Sequence, residues 1–257
     1  MPRTRGRAPA GGRADALSRE IVVGAAVALL DELGERGLTF RALAQRLNTG
    51  TGALYWHVAG KDELVALAAD QVLGRALTSA PVPAADPDPA AASAEGPAST
   101  PAAASADGSA SAPAEEALAE LRALALAVFD ELDRHPWAAS RVTTPPTLPN
   151  ALRLQDGIGM LVTRAGAPPE RRFAVSTAVF YYITGVGAQI IAPSVTVAPS
   201  TDRETYLART AEHWESLDPA EYPFLTGITA DLRDHDDRDQ FITGLDLLLD
   251  GLGRPRP

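Results

Sequence analysis

The chain has 257 residues, a formal charge of −10, no cysteine and 5% aromatic residues. That length suits one large helical domain or two smaller ones, and the absence of cysteine excludes disulfides and thiolate metal sites. The charge is uneven: the residues through His57 sum to +3 and the remainder to −13, which fits equally a small nucleic-acid-binding module joined to an acidic body and an ordinary disordered basic tail.

The opening MPRTRGRAPAGGRADA is rich in arginine and has no apolar core of a secretory signal, so residues 1–17 are expected to be a basic, disordered arm in a cytoplasmic protein. Ser18 to Leu33 reads as an amphipathic helix capped by Ser18, with Ile21, Ala25, Ala28, Leu29 and Leu33 facing inward and Gly34 and Gly37 as stops. Thr39 is placed to cap a second helix running to Leu47, with Phe40, Leu43, Ala44 and Leu47 inward. Asn48-Thr49-Gly50 makes the turn, since Asn and Gly tolerate left-handed backbone. A third helix is expected from Thr51 to about Val58 and a fourth from Lys61 to about Thr78.

A short helix, a tight turn and a second short helix behind a longer one form the helix-turn-helix layout, whose second member enters the DNA major groove. Leu54 and Val58, four apart, anchor that helix. Thr51, Ala53, Tyr55, Trp56 and His57 are then left wholly or partly free. Three adjacent rings cannot all face one core, so at least one is expected to meet phosphate, sugar or thymine methyl groups, with Tyr55 and Trp56 as core aromatics of a three-helix unit the alternative.

LTFRALAQRLNTGTGALYWHVAGKDELVALA resembles the DNA-binding domain of TetR-type repressors, and LYWHV before a Gly-Lys turn is similar to the tetracycline-repressor branch. The resemblance spans about Ser18 to Ala80. It implies that Arg41 contacts bases or phosphates, that Thr39 and Lys61 bind phosphate, and that Thr51, Ala53, Tyr55, Trp56 and His57 line the recognition helix. Gly52 and Thr51 depart from the proline and the base-reading glutamine of that branch, so its operator sequence does not transfer. Arg3, Arg5, Arg7 and Arg13 are an arm for the minor groove or a tail that raises nonspecific affinity.

Residues 81–113 are Ala, Pro, Ser, Asp and Gly with almost no branched apolar side chains, and are expected to be a disordered insertion between a DNA-binding domain (18–80) and a regulatory domain (114–253). In the latter, Ala114 to Arg134 predicts a helix with Leu118, Leu121, Leu124, Ala125 and Phe129 on one face, ended by Pro136. Asn150 to Ala165, Pro168 to Ile191 and about Asp237 to Leu252 predict three more. The charge-free stretch Phe173 to Thr201 is read as a buried helix of a soluble protein, not a membrane span, because Ser176, Thr177, Thr184, Gln189 and Pro193 interrupt it. The fold class is therefore all-α.

HPW, PNAL, YPFL and DRDQFITGLDLLLDGL are similar, in this order, to the C-terminal domain of the same branch. That resemblance implies a homodimer through a four-helix bundle, for which Phe173, Val179, Tyr182, Val186, Phe241, Leu245 and Leu248 are the candidates, with packing inside one chain as the alternative. It also implies a small-molecule effector. The positions of the branch's metal-drug ligands, a His and a Glu, fall by ungapped matching at Arg141 and near Gln189, neither of which replaces its ligand, so a metal-tetracycline complex is not expected. Trp137, Arg141, Thr177, Tyr181, Thr184, Gln189 and Trp214 are the candidates for an apolar pocket with polar handles.

The acidic group Asp231, Asp234, His235, Asp236, Asp237 and Asp239 is read as caps of the helix it precedes, and His213, between Glu212 and Glu215, as part of a solvated face. No metal or other cofactor is expected. With no cysteine, no glycine-rich phosphate loop and four scattered histidines, the sequence offers no catalytic set, which disfavours an enzyme or carrier. The leading expectation is a ligand-responsive repressor that binds a palindromic operator in double-stranded DNA as a homodimer and is released by its effector, with an activator of the same fold as the alternative.

Overall fold

The computed structural model describes residues 17–80, 112–142, 147–186, 188–189 and 203–252; the expectations for the basic arm and for nearly all of the insertion lie outside them. Among the described residues the secondary structure is helical throughout, and the chain divides into two compact units between Val65 and Ala66.

In the first unit, α1 (Arg19–Gly37) begins at Ser18, whose hydroxyl accepts the Ile21 N–H at 3.2 Å. Its buried residues are Val22, Val23, Ala26, Val27, Leu29 and Leu30, whereas Ile21 and Leu33 are exposed. The inward face is thus rotated by about one residue from the sequence expectation. Ile21 to Leu30 is uncharged and apolar almost all round, so its period does not single out one face, and the packing of α1 against the next helix decides. Gly34 does interrupt the helix, at φ 65° and ψ −179°, although the last turn resumes to Gly37.

α2 (Phe40–Arg46) is capped by Thr39, whose hydroxyl accepts the Ala42 N–H at 3.1 Å, and buries Leu43 and Ala44. Asn48 then takes the left-handed conformation, φ 49°, that the turn requires. α3 (Thr51–Leu54) is a single turn followed by a turn over residues 55–57, shorter than the expected helix to Val58. Leu54 and Val58 are both buried as anchors. α4 (Lys61–Ser79) starts in this unit, where the Glu63 carboxylate reaches back to the Ala59 N–H and pairs with Arg19 at 2.6 Å.

In the second unit, α5 (Ala112–Arg134) is the central element, with Ala117, Leu121, Leu124, Ala125, Val128, Phe129 and Leu132 buried. It starts two residues before the expected boundary. Pro136 ends it and also opens α6 (Pro136–Ala139), since a proline at the first helical position gives up only an N–H that has no intrahelical acceptor. α7 (Pro149–Arg164) buries Leu154, Ile158, Leu161 and Val162 and packs on α5.

The single long helix expected from Pro168 is instead a 3₁₀ turn (Pro169–Arg171), α8 (Arg172–Tyr181) and a π-helical turn (Tyr182–Val186). The Thr184 hydroxyl donates to the Phe180 carbonyl at 2.9 Å within this irregular stretch, a side-chain bond that competes with the regular ladder. α9 (Arg203–Glu215) carries His213 on a solvated face, but its extent is not given by the sequence pattern, since among its described side chains only Leu207 and Ala211 are buried. The short α10 (Pro223–Gly227) and α11 (Thr229–Asp234) follow.

α12 (Asp237–Asp250) is capped by Asp236, whose carboxylate accepts the Asp239 N–H at 2.9 Å, while His235 Nε2 lies 3.1 Å from Asp237 Oδ1; these members of the acidic group act locally, as helix caps do. α12 packs on α5 through the stacked pair Phe129 and Phe241, 4.7 Å apart, and Tyr182 donates to the Phe241 carbonyl at 2.9 Å. Val179, Phe241 and Leu245 are therefore core residues of a single chain rather than the dimer surface proposed for them from sequence. Phe173 and Leu248 are exposed, as that proposal requires, and Leu247, absent from it, is more exposed than Leu248. Among the described residues, no helix is long and apolar enough to cross a membrane.

Candidate functional site

The first unit presents its aromatic residues by default of burial. Leu54 and Val58 hold the α3 turn on the core, so the three residues ending in His57 are carried outward on a hydrogen-bonded turn, with Trp56 N–H to Ala53 O at 3.4 Å and His57 N–H to Leu54 O at 2.9 Å. Trp56 is 90% exposed and Tyr55 59% exposed; His57 is half-buried. A side chain as large and apolar as an indole rarely stays in water unless a partner covers it.

Tyr55 is not loose. Its ring stacks on Phe40 with centroids 4.6 Å apart and planes 13° from parallel. The sequence reading assigned Phe40 to the core face of α2 and so missed this contact; the residue is only half-buried. Thr39 and Arg41, the neighbours of Phe40, are both exposed, as is Thr51 at the start of α3, while Ala53 is half-buried. The stack thus ties the phenol to the first turn of α2.

The cations differ in availability. Arg41 has no ion-pair partner among the described residues, whereas Arg46 makes a two-pronged pair with Glu32 on α1, at 2.7 and 2.8 Å. That bond holds the Glu32 carboxyl below its ordinary range and the Arg46 guanidinium above its own. Lys61 Nζ donates to the Glu35 carbonyl at 2.5 Å, just beyond the break at Gly34, and an ammonium has three donors, so this bond leaves two for other acceptors.

In the second unit the seven residues named for an effector fall in different environments. Trp137 is buried on α6, with its ring 6.3 Å from that of His135. His135 Nε2 lies 2.8 Å from Arg75 Nη1 and 3.7 Å from Glu131 Oε2, and that carboxylate oxygen is buried without a hydrogen bond while its other oxygen pairs with Arg134. Thr184 is buried and committed to Phe180, Thr177, Arg141 and Trp214 are half-buried, and Tyr181 and Gln189 are exposed. No contact among the described residues joins all seven.

Comparison with known proteins agrees with both halves. Residues 22–68 match the family described as bacterial regulatory proteins, tetR family, and residues 112–255 match the tetracyclin repressor-like C-terminal domain. A helix-turn-helix-type transcriptional regulator of Saccharopolyspora erythraea is 32% identical over 213 residues, 82% of this chain and 74% of that protein. The helix-turn-helix-type transcriptional repressor DrrR1 of Streptomyces coeruleorubidus is 28% identical, over 96% of this chain and 81% of its own length. A solved TetR transcriptional regulator of Streptomyces coelicolor shares 38% identity and superposes with a TM-score of 0.67, covering 93% of this chain and 98% of that one. With its N-terminal helix-turn-helix and its helical C-terminal unit each matched to a family domain, the chain belongs to the TetR family of bacterial transcriptional regulators.

Proposed function

We propose that the protein is a ligand-responsive transcriptional repressor that binds a palindromic operator in double-stranded DNA as a homodimer and is released by a small-molecule effector. The observation that carries the DNA-binding part is Trp56, 90% exposed beside the exposed Tyr55, on a turn whose own anchors Leu54 and Val58 are fully used. In this reading Thr39 and Lys61 hold phosphates, Arg41 contacts bases or phosphates, and Thr51, Ala53, Tyr55, Trp56 and His57 form the surface in the major groove. Arg46 is spent on Glu32 and is left out.

Two copies would present their recognition helices about 34 to 36 Å apart, one turn of the duplex. An effector with higher affinity for a differently spaced dimer then lowers DNA affinity by reciprocal coupling. For its site the reading keeps Trp137, Arg141, Thr177, Tyr181, Thr184, Gln189 and Trp214. The corner of Trp137, His135 and Glu131 supports it most, because a buried carboxylate oxygen without a donor is stabilised by a ligand that brings one. The repressor sign is supported by the name of DrrR1 and by the C-terminal family description. Such a regulator works in the cytoplasm, where its DNA is.

Mobility-shift assays across a salt series test the reading, using duplexes selected by the wild-type protein and a Tyr55→Ala, Lys61→Ala double variant. Wild type should bind with a steep salt dependence and the double variant more weakly, with a shallower slope. Equal, salt-insensitive binding by both would overturn it.

A further inference from the structure

We propose that Phe40 is a positioning residue for Tyr55: the first turn of α2, not the recognition helix, sets how the phenol meets the duplex. The inference rests on the DNA-binding reading above and deepens it. α3 is one turn long and ends at Leu54, so Tyr55 stands at its cap with no further helix behind it to hold a side chain. What fixes the ring is the near-parallel stack on Phe40, 4.6 Å away and fifteen residues earlier in the chain.

The two partners are unequally anchored. Phe40 is the first residue of α2, behind the Thr39 cap, and α2 is tied to α1 by the Arg46 to Glu32 pair. Tyr55 is more than half exposed and belongs to a turn. Stacking uses one face of the phenol and leaves it exposed enough for the hydroxyl to donate to a phosphate oxygen. Fixing the ring before DNA arrives removes the entropy otherwise lost on binding, which raises affinity without any contact from Phe40 to the duplex.

The test is a double-mutant cycle on the full chain, read by titration of a fluorescein-labelled duplex that wild-type protein has selected from a random-sequence pool. Phe40→Ala should weaken binding roughly three- to tenfold. Phe40→Tyr, which keeps a ring face, should stay within about twofold of wild type. The Phe40→Ala, Tyr55→Ala pair should bind no more weakly than Tyr55→Ala alone. Phe40→Leu keeps apolar bulk without a ring, so it should show the same coupling and covers the case in which Phe40→Ala fails to fold. An equal loss from Phe40→Leu with and without Tyr55→Ala would overturn the positioning role while leaving DNA binding intact. Failure of the wild-type protein to retain any duplex would instead overturn the DNA-binding reading, and this role with it.

Discussion

Asp70 on α4 caps a helix eighty residues away: its carboxylate accepts the backbone N–H groups of Asn150 and Ala151 at 3.1 and 2.9 Å. Those are first-turn donors of α7, whose own N-cap residue, Leu148, has no side chain able to serve them. Asn150 returns the contact by donating from Nδ2 to the Asp70 carbonyl at 3.0 Å, and a Cβ at Gly74, one turn further along α4, would come within 2.8 Å of that nitrogen. Asp70 is buried and its partners Asn150 and Ala151 are half-buried, so Asp70→Ala leaves two donors without their acceptor in a partly dry site. The expected cost is about 1–3 kcal/mol, seen as a melting temperature lowered by several degrees. An unchanged melt would show that α7 does not depend on this cap.

Gly34 holds a backbone conformation, φ 65° with ψ −179°, that is nearly exclusive to glycine. A Cβ there would meet nothing within 4 Å, so any penalty is conformational rather than steric crowding by neighbours. Gly34→Ala should destabilise the protein by about 1–3 kcal/mol. Chemical denaturation measures it, and a midpoint equal to wild type would argue against a strained position.

Tyr182 has its phenol pushed above the ordinary tyrosine range, first by burial and then by the negative charge of Asp246. A raised value in the folded state means its contribution to stability is complete below the unfolded value of about 10 and is lost as pH rises through the folded one. In an absorbance titration one of the five tyrosines should ionise late, and Tyr182→Phe should remove that late phase. Simultaneous titration of all five would count against a phenol raised by its surroundings.

The proposed homodimer calls for apolar surface that a single chain leaves uncovered, and Phe173 on α8 and Leu247 on α12 are 83% and 71% exposed. Neither substitution disturbs a core contact, so Phe173→Glu with Leu247→Glu should leave the helical content unchanged while lowering the mass in solution from dimer to monomer. Light scattering after gel filtration reads the outcome. A mass identical to wild type would remove these two positions from the interface.

How far the sequence reaches follows from the range of each interaction. Ser18, Thr39 and Asp236 cap helices through bonds to residues three positions on, and Asn48 makes its turn alone, so all four were legible without a fold. The motif around LYWHV was legible for the same reason, since Leu54 and Val58 must bury and their neighbours then cannot. Tertiary structure alone decided which face of the uniformly apolar α1 turns inward, that Phe241 and Leu245 fill their own chain's core, and that Phe40 meets Tyr55. Each of these depends on where separate helices touch, and periodicity along one helix carries no information about the position of another.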